Sequence, residues 1–214
     1  MEVIINALSN VIFILLSVAS VIYFIGFAKH SKAYKIFTIY LLTMFIIEWL
    51  LRVIVLFDWN DSTLFLFVYY FVFQFIILSL FYQKLLNFRW IYYVLVAGLL
   101  FFVVQYSNDP EMYFRYNPIG VVVGQGVIVI YSLLYFYKLL SEKGEFVIVN
   151  SGIFFYLLTS MLIFASGNLV FNIKISTETI VLLGKIIRVL YLIFLILIMI
   201  EWYRNYRDPK KVSS

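Results

Sequence analysis

One stretch constrains this chain more than any other: a run fit for hydrocarbon that nevertheless carries two cations. From Thr179 to Tyr203 it reads TIVLLGKIIRVLYLIFLILIMIEWY. About 20 apolar residues are enough for a helix to cross the ~30 Å hydrocarbon core of a bilayer. Lys185 and Arg188 lie inside that run. A charge near mid-membrane costs at least ~2.5–3.5 kcal/mol on insertion scales, so such a residue faces a partner or a cavity. Other segments must supply it.

Six more apolar runs precede this one, at Ile4–Phe27, Ile36–Phe57, Leu64–Leu86, Trp90–Tyr106, Ile119–Leu140 and Phe146–Phe171. They are continuous rather than alternating in short pieces, which predicts helices and not barrel strands. Pro110, Pro118 and Pro209 all fall in loops or at a helix start, and Pro118 suits a first helical position, where no N–H is needed. The chain is 65% hydrophobic and 13% charged, against roughly 45–50% and about 25% in soluble domains. Every polar interval is shorter than about 20 residues, which leaves no room for an aqueous domain. The fold class expected is an all-α integral membrane protein, a seven-transmembrane-helix bundle over residues 1–203 with a short basic tail over 204–214. No Lys or Arg precedes the first apolar run, so that run is expected to be a retained span and not a secretory signal.

Orientation follows from the Lys and Arg in the short loops. Lys29, Lys32, Lys35, Lys84, Arg89, Lys138, Lys143, Arg204, Arg207, Lys210 and Lys211 share one side. Arg115 and Lys174 share the other with Asp58, Asp61, Asp109, Glu111 and Glu178. The expectation is an amino terminus outside, a carboxyl terminus in the cytoplasm, and a multi-pass location in the cell inner membrane. The net charge of +5 then reflects topology and contact with anionic lipid; nucleic acid is not an expected partner, whereas the lipid bilayer is.

Aromatic residues at span ends, namely Trp49, Trp59, Tyr69, Tyr70, Trp90, Tyr92, Tyr93, Tyr135, Tyr137, Trp202 and Tyr203, are expected mostly at the membrane interface, with a pocket wall as the alternative place for the Tyr69–Tyr70 pair. Gly120 and Gly124 in GVVVG predict close helix packing.

The polar residues within the spans form the candidate site. Glu48 and Arg52 are four apart and so share a helix face. Gln74, Gln125, Ser166 with Asn168, and Lys185 with Arg188 come from four other spans, and nearly all of these residues fall in the outer half of the bilayer. If they converge, Glu48 against Arg52, Lys185 and Arg188 leaves a net positive group. Such a group favours a small anionic ligand or an acidic side chain of a partner. The competing reading is a structural network in which Glu48 pairs with Arg52 or Arg188 and the amides satisfy one another.

Catalytic readings fare badly. Cysteine is absent and the one histidine, His30, lies in a loop, so thiolate metal sites, multi-histidine metal sites and bis-histidine haem are excluded within one chain. No aspartate lies inside a span, which removes intramembrane aspartyl chemistry. Lys185 is too near the outer end for a retinal-type lysine. No cofactor is expected.

Three runs together resemble a known group: NSGIFFYLLTSMLIFASGN (Asn150–Asn168), FVYYFVFQFIILSLFYQKLL (Phe67–Leu86) and NPIGVVVGQGVIVIYSLLYFYKLL (Asn117–Leu140). They are similar to a family of uncharacterised seven-span inner-membrane proteins of Bacteroidota, often encoded near sensor histidine kinases and response regulators. The distinctive marks are NSG at the start of the sixth span and SGN near its end. The resemblance implies glutamine or glutamate at Gln74 and, by genomic association, a role in signalling with a membrane or cytoplasmic signalling partner. The expectation is a non-enzymatic, receptor-like heptahelical protein. A carrier for a small anionic solute and a structural accessory subunit of a larger membrane complex are the alternatives, although spans one to three and five to seven lack the self-similarity, and the spans the prolines, of carriers built as three plus one plus three helices.

Overall fold

A computed structural model describes residues 2–57, 63–114, 117–172 and 177–207, the side chains of 2–5, 64, 166–172 and 177–181 excepted. Seven helices run in order: α1 (Glu2–Ile25), α2 (Lys32–Phe57), α3 (Leu64–Leu86), α4 (Trp90–Asn108), α5 (Pro118–Leu139), α6 (Val147–Asn172) and α7 (Thr177–Asn205), with one 3-10 turn at Pro110–Phe114. No strand occurs among the described residues. All seven are long and apolar enough to cross a membrane, the make-up of a multi-pass membrane protein. The expected boundaries hold to within a few residues. The largest departure is α2, which begins four residues earlier than the apolar run because Ser31 accepts from the Tyr34 N–H at 3.2 Å, a side-chain cap on an orphan donor. The Tyr34 ring of that first turn is itself fully buried.

Six helices close a ring in which neighbours follow the order α1, α2, α3, α5, α6, α7 and back to α1, while α4 packs outside against α3 and, more lightly, α5. Gly98 of α4 makes this docking possible: the Phe75 ring of α3 lies so close that a Cβ there would sit 2.6 Å from it. Gly124 faces Phe102 and Phe75 at ordinary contact distance, so the small residues of α5 do serve packing. Asn117 closes the α4–α5 junction. Its Oδ1 accepts from Gly120 N at 2.9 Å, and it exchanges hydrogen bonds with Gln105 at 3.0 and 3.1 Å.

The outer surface is apolar, with Ile25, Leu56, Leu100 and Val103 all well exposed. The interior is aromatic: Tyr23, Tyr34, Phe37, Tyr40, Phe81, Tyr82, Tyr131 and Tyr135 are all but fully covered. Tyr135 therefore departs from the expected interfacial set and points inward, its hydroxyl donating to the Glu145 carbonyl at 2.5 Å. Trp49, Tyr69, Trp90, Tyr92, Tyr93, Tyr137 and Tyr203 are exposed as expected; Trp59 lies outside the described residues.

Candidate functional site

The two ends of the bundle differ. At the end where α1, α3 and α5 finish, the packing is dense. Asn150, from the NSG mark, is fully buried; it accepts from Tyr82 OH at 2.6 Å and from Ser132 Oγ at 2.9 Å, and donates to the Ser132 carbonyl at 3.3 Å. It thereby ties α3, α5 and α6 together. Gly152, two residues on, lets Phe194 of α7 approach so closely that a Cβ would sit 2.6 Å from its ring. Asn150 and Gly152 of this motif thus hold helices together, whereas Ser151 donates to the Val147 carbonyl of its own helix at 3.1 Å. Nearby, the buried carboxylate of Glu201 on α7 accepts from Ile148 N in the first turn of α6 at 2.9 Å and from Asn205 Nδ2 at 2.6 Å. A buried acid at a helix amino terminus satisfies orphan N–H groups and favours their dipole.

An aromatic cluster caps this end. Tyr206 sits 4.8 Å from Tyr34, 5.1 Å from Phe146 and 5.2 Å from His30, ring centre to ring centre. Burial lowers the His30 pKa from its ordinary value, an effect that Glu145 opposes and Lys29 reinforces. Tyr206 is raised, by burial first and then by Glu145 and Glu201.

The opposite half of the ring is hollow. A cavity of about 470 Å³ lies between α2, α3, α5, α6 and α7, reaching Thr63 just ahead of α3. Phe67, Phe71 and Phe164 and four aliphatic side chains make up seven of its fifteen lining residues. Its polar lining is Glu48, Thr63, Gln125, Ser160, Arg188 and three tyrosines, Tyr70, Tyr156 and Tyr191. Gln125 Oε1 and Ser160 Oγ are buried and without a hydrogen-bond partner among the described residues. The hydroxyls of Tyr70 and Tyr156 meet at 3.3 Å across α3 and α6.

Of the eight residues expected to form the site, the structure brings three to this cavity: Glu48, Gln125 and Arg188. Arg52 turns the other way, into the α1–α2 seam. Its Nη1 donates to Asn10 Oδ1 at 2.9 Å and its Nη2 to the Ser9 carbonyl at 2.8 Å, and its guanidinium lies 4.4 Å from the Phe13 ring centre. From there its Nε approaches Glu48 Oε1 at 3.5 Å, an ion pair without a hydrogen bond. Gln74 is buried beside the cavity and donates to Tyr40 OH at 3.3 Å. Lys185 is half-buried and off the lining. The side chains of Asn168 and Ser166 lie outside the described residues.

The electrostatics follow from these positions. Glu48 is compensated by Arg52, which does not line the cavity. Arg188 does, and it makes no hydrogen bond or ion pair with a described residue. The described lining therefore has one uncompensated cation, two unused hydrogen-bonding oxygens and an aromatic body. Such a site suits an anion with an apolar or aromatic frame. Sequence reasoning missed Tyr156, Tyr191 and Ser160, and it read the Tyr69–Tyr70 pair as interfacial with a pocket wall as the alternative; Tyr69 is exposed and stacks on Phe73, whereas Tyr70 lines the cavity. The signal available was positional. Tyr156 and Ser160 lie four apart on α6, as do Ile187 and Tyr191 on α7.

No family model, no curated protein and no solved structure matches this chain. The functional reading accordingly rests on a seven-helix bundle with a cationic, aromatic-lined cavity in one half.

Proposed function

We propose that this chain is a non-enzymatic, receptor-like protein of the cell inner membrane that binds a small anion with an apolar body and signals to a membrane or cytoplasmic partner. In this reading the cavity faces the periplasm and the Lys-rich helix ends face the cytoplasm, an orientation that rests on the loop charges. The observation that carries the reading is Arg188: a cation on a cavity wall with no described partner, while the neighbouring acid is compensated from another seam. The resemblance to seven-span proteins encoded beside histidine kinases supports the signalling role. In this reading the signal passes along α6 and α7. α6 and α7 both line the cavity, and Glu201 couples the far end of α7 to the first turn of α6.

A carrier for a small anion is the second reading, and the adjacency of the helices allows it. The contacts α1 with α2, α2 with α3, and α3 with α5 recur as α5 with α6, α6 with α7, and α7 with α1. That adjacency is compatible with two three-helix units separated by one helix, as it is for any six-helix ring in chain order.

Calorimetric titration of the purified protein with aromatic and medium-chain carboxylates tests the binding site. The expected result is saturable binding that Arg188→Met weakens at least tenfold while the melting temperature stays within a few degrees. An Arg188→Met protein as stable and as competent in binding as the parent would sink the anion site. Flux of the bound carboxylate into liposomes, present or absent, then decides between carrier and receptor.

A further inference from the structure

We infer that the Lys-rich end carries a binding site for the phosphate headgroup of an anionic phospholipid, formed by α2, α3, α5 and the loop after α5. A cleft of about 300 Å³ opens there, with Lys32, Lys84, Lys138 and Lys143 on its lining against Glu142 and Glu145. Both acids are engaged: Glu142 by Lys138 at 3.5 Å, and Glu145 by the Ser31 hydroxyl at 2.7 Å. Lys138 is fixed in place, since its Nζ also donates to the Leu85 carbonyl at 3.0 Å. Lys32, Lys84 and Lys143 make no ion pair or hydrogen bond with a described residue. They come from two different helices and a loop, yet they converge on one concavity.

Two other cations at this end stand over aromatic rings instead. Lys35 lies 6.0 Å from the centre of the Phe27 ring and Arg207 lies 5.1 Å from that of Tyr203. Loop charge that only sets orientation needs no cleft, and a cleft lined by several unneutralised lysines matches a dianionic or diester phosphate.

A second hollow favours lipid over free phosphate. A groove of about 460 Å³ adjoins the cleft, sharing Lys138 and Glu142, and is lined by Leu86, Phe88, Leu134 and Tyr137. Phe88, Trp90 and Tyr137 are exposed beside it, as aromatic residues are at headgroup depth. A phosphate among the lysines would leave its acyl chains along Leu86, Phe88, Leu134 and Tyr137 of this groove, whose lining also includes Asn87 and Ser141. The site rests on the membrane-spanning reading but not on the Arg188 cavity.

The test is native mass spectrometry of the full chain released from nanodiscs of equimolar phosphatidylglycerol and phosphatidylcholine. Phosphatidylglycerol should be retained in excess over its share of the bilayer. The Lys84→Gln/Lys143→Gln protein should lose that excess, at about fivefold per lysine. A charge-matched Lys35→Gln/Arg207→Gln protein should keep it. Retention at the bilayer ratio by the parent, equal loss in both variants, or no loss in the first overturns the site. Complete displacement of lipid by millimolar inorganic phosphate overturns the lipid assignment in favour of a soluble anion. If the double variant fails to insert, Lys84→Gln and Lys143→Gln singly carry the same comparison, and the parent's lipid ratio stands as a test by itself.

Discussion

Replacing Asn150 by alanine removes a side chain that hydrogen-bonds from α6 to both α3 and α5 in the packed half of the bundle. The two hydroxyls it serves are not equally exposed to the loss. Ser132 Oγ has a second acceptor, the Asn150 backbone carbonyl at 3.3 Å, which survives the substitution. Tyr82 OH donates to Asn150 Oδ1 at 2.6 Å, and Tyr82 is fully buried. An orphaned buried donor costs about 1–3 kcal/mol. Interhelical hydrogen bonds in membranes average about 0.6 kcal/mol and reach about 1.7 kcal/mol in double-mutant cycles. Asn150→Ala is therefore expected to destabilise by ~2–3 kcal/mol, since it deletes several bonds and leaves one hydroxyl stranded. In a cycle with Tyr82→Phe the coupling should reach ~1–1.5 kcal/mol, near the top of that range because the bond is short and enclosed. The cycle with Ser132→Ala should give less. Reversible SDS unfolding in mixed micelles, followed by circular dichroism, measures all six proteins. Coupling between Asn150 and Tyr82 below ~0.3 kcal/mol, within the additivity of independent sites, would refute the assignment of this hydrogen bond as a helix tie.

Three further outcomes are expected. Gly98→Val forces a Cβ into the Phe75 ring and should cost ~1–3 kcal/mol by overpacking, with α4 becoming the first helix cut in limited proteolysis; a protein as protease-resistant as the parent counts against the docking of α4. Glu201→Ala strips the acceptor from Ile148 N and should cost ~1–3 kcal/mol, with faster hydrogen exchange confined to the first turn of α6. The His30 pKa is lowered in the folded protein, so the folded state binds fewer protons there than the unfolded one and stability falls as pH drops from about 6.5 through the folded value; melting temperatures between pH 7.5 and 5 should decline more for the parent than for His30→Gln, and parallel curves would remove His30 as the cause.

Much of the architecture was legible in the chain because it depends on local quantities. A run of some 20 apolar residues is helical in hydrocarbon whatever surrounds it, since its backbone groups must pair within the segment. Seven such runs with loops between them leave little freedom in the element order. The charge budget of Arg188 was legible for the same reason: a cation inside an apolar span needs a cavity or a partner. Legibility stopped at helix rotation. In a soluble bundle an apolar stripe marks the inner face, but here lipid and interior are both apolar, so Tyr69 and Tyr70 look alike in sequence while one is exposed and the other lines the cavity.

What the sequence by itself determined is the seven-helix count, the segregation of Lys and Arg to one set of helix ends, and the presence of charged residues that hydrocarbon alone cannot accommodate. Only the tertiary structure decided which of those residues meet. It sent Arg52 into the α1–α2 seam, left Arg188 on the cavity wall, and turned Asn150 from a motif residue into a three-helix tie. The physical reason is that helix rotation and neighbour order are set by interhelical shape and hydrogen bonds, such as the notch at Gly98 or the bond from Tyr82, and these join residues far apart in the chain.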